Sequence, residues 1–157
     1  MEKKLAPLLI TFIISALPLS TSASSLSAET KNKLLTGELT LNYSLFGKGA
    51  SGSKDLRALY DANKWDELVE SVTAKGFVVN TYYFYLGRAA EEMGAKKAAI
   101  KYYEMAIATN KDESYSCTKG GMWDTCAGFK FPDDAVARMA KLKSERFSDI
   151  KEYDLNA

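Results

Sequence analysis

Three groups of residues have types and spacings that could do chemistry: a glycine triplet, adjacent acid pairs and two cysteines. Gly47, Gly49 and Gly52 spell GxGxxG after the alternating stretch 38–46 and before a helix-forming segment. In that setting a glycine turn can bring a pyrophosphate to a helix N-terminus. A dinucleotide-binding unit also needs a second parallel strand after the helix, yet residues 54–110 read as helix. A flexible Gly/Ser linker is therefore the favoured reading, with nucleotide binding as the alternative. The acids occur as Asp66-Glu67, Glu91-Glu92 and Asp133-Asp134. Adjacent helical residues point about 100° apart, so such pairs do not face one cleft as two-carboxylate catalysis requires. They read as solvated surface. The chain has no histidine, which excludes Ser-His-Asp and Cys-His nucleophiles and His-ligated metals. No enzyme, cofactor or metal site is expected.

The 157 residues carry 21 Lys+Arg against 20 Asp+Glu, a balance without the basic footprint that nucleic acid demands. Lys3 and Lys4 precede a mostly apolar run, Leu5 to Leu19, and then the small polar stretch Ser20 to Ser25. This order is that of a secretory signal peptide, and the run falls short of the roughly 20 apolar residues of a membrane span. With Thr21 and Ala23 at the small-residue positions, cleavage is expected before Ser24. Loss of Glu2, Lys3 and Lys4 takes the 21 and 20 charges to 19 and 19, a formally neutral chain without a membrane span. The expected location is periplasmic or secreted.

Export makes Cys117 and Cys126 a disulfide by default. Eight residues separate them, too many for a CxxC redox motif, so the bond is expected to be structural and to staple a local loop. Gly121-Met122 at its centre suits a small hairpin, and Gly120-Gly121 equally suits an irregular loop.

The elements that must position these residues are helical. Leu86, Ala90, Ala99, Tyr103 and Ala106 recur at helical intervals on two helices, with a break at Met93-Gly94. Counted from Asn80, Tyr83, Leu86, Gly87, Ala90, Ala99, Tyr103 and Ala106 fall at positions 4, 7, 8, 11, 20, 24 and 27 of a 34-residue unit. This resembles a tetratricopeptide repeat, although Lys111 stands where that repeat has proline. A shift of 31 residues superposes Trp65 on Lys96, Leu68 on Ala99 and Arg57 on Arg88, giving a second, degenerate copy in which Leu56 replaces Gly87. Pro132, Asp133 and Asp134 open a last helix, expected to run to Phe147 and to cap the stack through Val136, Met139, Ala140 and Leu142.

The resemblance implies an all-α fold: a short solenoid of antiparallel helical hairpins with a C-terminal capping helix and a disulfide-stapled loop. The expected organisation is a leader (1–23), an N-terminal segment and linker (24–53), a helical domain (54–148) and a tail (149–157). It also implies a concave groove lined by first helices, here Thr81, Phe84, Arg88, Glu91 and Glu92 from one unit and Arg57, Tyr60 and Asp61 from the other. The asparagines and lysines with which relatives clamp a terminal carboxylate are absent; Phe84, Tyr85 and Arg88 stand there instead. On a helix the aromatic run Tyr82 to Tyr85 cannot all be core, so some of its rings are expected to face a groove, a neighbour or solvent where a partner binds; the alternative is satellite core packing beneath the stapled loop. The expected function is an interaction or assembly module of the cell envelope that binds a protein or peptide, with Arg57 and Arg88 suited to an acidic partner. The alternatives are a small enzyme or nucleotide binder using the glycine triplet, and a purely structural envelope component whose groove is filled by its own N-terminal segment.

Overall fold

A computed structural model describes residues 26–42, 53–75, 77–120 and 124–155. The leader, the glycine triplet and the Gly121-Met122 turn lie outside the described residues. Among those described, the chain is all-α, with six helices and no strand. They are α1 (Ala28–Thr36), α2 (Ser53–Asp61), α3 (Trp65–Ala74), α4 (Asn80–Glu92), α5 (Lys96–Thr109) and α6 (Asp133–Leu155).

Local chemistry sets the ends. The Ser27 hydroxyl accepts from Thr30 N at the start of α1, and Gly37 closes that helix in the left-handed region at φ 73°. Gly94, at φ 80°, makes the turn between α4 and α5, a conformation that a side chain would disfavour. Asp134 accepts from the Lys130 N–H at 2.7 Å, which fixes the entry into α6. That helix continues to Leu155, beyond the expected end at Phe147 and into the expected tail.

α2 packs on α3, α3 on α4, α4 on α5 and α5 on α6, while α1 returns to lie against α5 and α4. At the centre is α4, buried at every position from Asn80 to Ala90. Gly87 permits the close approach of α5, because a Cβ there would stand 2.6 Å from a ring carbon of Tyr103. Leu56 and Leu68, the counterparts of Gly87 and Ala99, are fully buried. Burial of a leucine side chain contributes about 1.5 to 3 kcal/mol. The N-terminal segment is held by the Tyr102 hydroxyl, which accepts from Leu39 N at 3.1 Å and donates to the Lys33 carbonyl at 3.3 Å. The Cys117 and Cys126 sulfurs lie at bonding distance, closing the loop between α5 and α6.

Candidate functional site

One turn of α2 presents Arg57, Tyr60 and Asp61 together, since residues three and four apart share a helix face. The Arg57 Nε donates to Asp61 at 2.9 Å and its Nη1 donates to the Ala127 carbonyl at 2.8 Å. Its guanidinium lies 4.8 Å from the centre of the Phe129 ring and 5.5 Å from that of Tyr60. Arg88 approaches the same tyrosine from α4, with Nε 3.3 Å from the hydroxyl and its guanidinium 5.8 Å from the ring centre. The two arginines related by the 31-residue shift thus share one aromatic neighbour.

Both are also paired within the chain. Arg88 Nη1 lies 2.9 Å from Glu91 and Nη2 lies 2.7 Å from Glu92, with only 7% of the side chain exposed. Glu91 in turn accepts from the Tyr103 hydroxyl and from Arg138 Nη1 at 3.2 Å. Burial opposes ionisation of Glu91, but the Tyr103 hydrogen bond and the two guanidinium groups outweigh it and hold the carboxyl below its ordinary range. Burial pushes the Tyr85 and Tyr103 phenols far up, and that of Tyr102 to about 12. The buried Tyr85 hydroxyl has no hydrogen-bond partner among the described residues.

The remaining positions expected to line a groove, Thr81 and Phe84, are buried. Thr81 is fully buried, next to an Asn80 carboxamide whose Oδ1 accepts from Thr81 N and from Cys117 N. The loop that follows Cys126 lays two rings against α4: Phe84 is 4.7 Å from Phe129 and 5.5 Å from Phe131, centre to centre. Against the expectation that one helix cannot bury the whole aromatic run, Tyr82 to Tyr85 are all buried, because α3, α5, α1 and the loop after Cys126 all pack on α4.

Beside this filled portion a crevice of about 370 Å³ stays open. Its floor consists of Tyr60 from α2, Phe84 from α4 and Phe129 from the loop. Its wall is one face of α6, formed by Asp134, Ala137, Arg138 and Lys141. A smaller space of about 260 Å³ is lined by Arg57 with Lys54, Asp124, Ala127 and Gly128. Of the crevice residues, sequence reasoning identifies Tyr60 and Phe84 and misses the rest. The spacing Asp134, Arg138, Lys141 is that of one helix face and is the signal that could have found the wall.

What this arrangement offers chemically is ring faces and charged N–H donors, which serve recognition. Among the described residues no group of His, Cys, Asp or Glu could hold a metal ion, and no helix is long and apolar enough to cross a membrane. The chain matches no protein-family model, no curated protein and no solved structure.

Proposed function

We propose that the chain is an exported interaction module of tetratricopeptide-like type, which holds a protein or peptide partner on the face shared by α2, α4 and α6. The observation that carries this reading is the crevice, which takes its floor from α2 and α4 and its wall from α6. Alternate helices therefore converge on one hollow, the arrangement by which helical repeats build a concave binding surface. The close contact of Gly87 with Tyr103 and the equivalent arginines around Tyr60 support a duplicated hairpin. The two sulfurs at bonding distance fit an oxidising compartment.

A second reading, a structural component without a partner in its groove, draws support from Phe129 and Phe131, which cover Phe84. A photoreactive phenylalanine analogue at position 141, on the crevice wall, tests the two against each other, with position 97 on the exposed side of α5 as control. The interaction reading expects a discrete crosslinked species from position 141 alone in intact cells. Equal yields from both positions, or none, would favour the structural role.

A further inference from the structure

The geometry points to a partner of defined chemistry: a peptide segment that places an aromatic side chain in the α2–α4–α6 crevice and an adjacent carboxylate against Arg138 and Lys141. This rests on the groove reading above and names the ligand class for it. Three observations carry it. First, the floor is an aromatic cluster, with Phe129 5.3 Å from Tyr60 and 4.7 Å from Phe84 between ring centres; Phe129 and Phe84 are buried beneath, and the half-buried Tyr60 ring is the one that stays accessible. Rings pair favourably edge-to-face or offset at such distances, so a further ring would extend the cluster.

Second, Ala137 stands on the wall where a larger side chain would close the space. At about 370 Å³ the crevice is at the small end of ligand sites, suited to one large side chain and its neighbour. Third, the charges on the wall are unevenly committed. Asp134 is engaged by the Lys130 N–H at 2.7 Å and sits in the first turn of α6, where the helix N-terminus favours negative charge. Among the described residues Arg138 engages Glu91 through Nη1, and 35% of its side chain is exposed. Lys141 is 60% exposed, with its Nζ 3.8 Å from Glu145. The donors left facing the crevice are cationic and complement a carboxylate. Arg57 and Arg88 are held more closely, at 2.7 to 2.9 Å from acids of their own helices, than Arg138 and Lys141 are by theirs, at 3.2 and 3.8 Å.

The test is fluorescence anisotropy of the secreted, processed protein with a fluorescein-labelled, C-terminally amidated pentapeptide that has phenylalanine at its centre and glutamate on either side. Amidation removes a terminal carboxylate from consideration. The expected result is saturable binding, weakened at least tenfold, or about 1.4 kcal/mol, when the central residue is alanine or the flanking residues are lysine. Ala137→Phe, at an exposed position, is expected to abolish binding by filling the crevice, and Lys141→Glu to weaken the glutamate peptide while strengthening the lysine one. Thermal melts of both variants check that they fold. Equal affinity for the three peptides, or binding unaffected by Ala137→Phe in a folded variant, would overturn the inference. If no peptide binds up to about 1 mM while crosslinking from position 141 persists, the proposed chemistry is wrong and the groove reading stands; if both fail, both are wrong.

Discussion

Gly87 of α4 lies directly against the ring of Tyr103 on α5, so close that a Cβ at 87 would meet ring carbons at 2.6 and 2.7 Å. The ring has little room to yield, because its hydroxyl is bound to Glu91 and its face packs 5.6 Å from Phe84. Gly87→Ala is therefore expected to destabilise the fold by about 1 to 3 kcal/mol, despite alanine's better helix propensity. The denaturant midpoint measures this, and an unchanged or raised midpoint would show that the helices can separate at no cost.

Arg57 and Arg88, which the 31-residue shift superposes, differ in burial. Arg57 is more than a third exposed, and loss of its Asp61 pair is expected to cost at most about 0.5 kcal/mol. Arg88 is nearly buried, stacks near Trp65 and Tyr60, and neutralises Glu91, whose side chain is only 11% exposed. Arg88→Ala is expected to cost about 3 kcal/mol, since removing one partner of a buried pair leaves a desolvated charge, only partly offset here by Arg138. Chemical denaturation of the two single variants, compared side by side, checks the contrast. Equal losses would contradict it.

Stability against pH has a defined shape. The Glu91 carboxyl is held below its ordinary value of 4.5, so its contribution is complete above that pH and is lost as pH falls through the folded value. The buried phenols behave in the opposite sense. Tyr102 titrates at about 12 in the fold against 10 when unfolded, with Tyr85 and Tyr103 shifted in the same direction. Their contribution is complete below pH 10 and is lost as pH rises from 10 toward 12. With no histidine in the chain, urea midpoints are expected to be flat between about pH 6 and 9 and to fall on both sides. A midpoint that moves strongly near pH 7 would contradict these assignments.

The Cys117–Cys126 loop precedes the segment carrying Phe129 and Phe131 over α4. Replacing both cysteines by serine is expected to cost about 2 to 3 kcal/mol by the loop-closure estimate and to leave the far-ultraviolet helical signal intact at 25 °C. A chain unfolded at that temperature would show that the staple holds the whole fold.

How far the sequence is legible depends on how local each feature is. α4 and α5 are plain from Leu86, Gly87, Ala90, Ala99, Tyr103 and Ala106 because their contacts repeat with the helical period, and Gly94 marks the break because the turn there needs a positive φ. α1 has its start and stop signals in Ser27 and Gly37, but it is nine residues long and buries Leu34 alone, so its apolar pattern is too weak to mark a helix. The crevice is harder still. Phe129 lies in a loop with no period to announce it, and Arg138 and Lys141 have the pattern of any solvated helix face. Likewise, Asn80 and Phe84 are buried against a loop more than 35 residues downstream, a contact that no local pattern encodes.

The most direct measurement is hydrogen–deuterium exchange on the protein, alone and in complex with any partner that crosslinks from position 141. Slowed exchange is expected on the binding face: α2 around Tyr60, the Gly128–Phe131 segment, and the α6 turns from Asp134 to Lys141. The outer surfaces of α3 and α5 should exchange as in the free protein. Protection confined to α3, α5 or α1, with α6 unchanged, would contradict a binding groove on α2, α4 and α6.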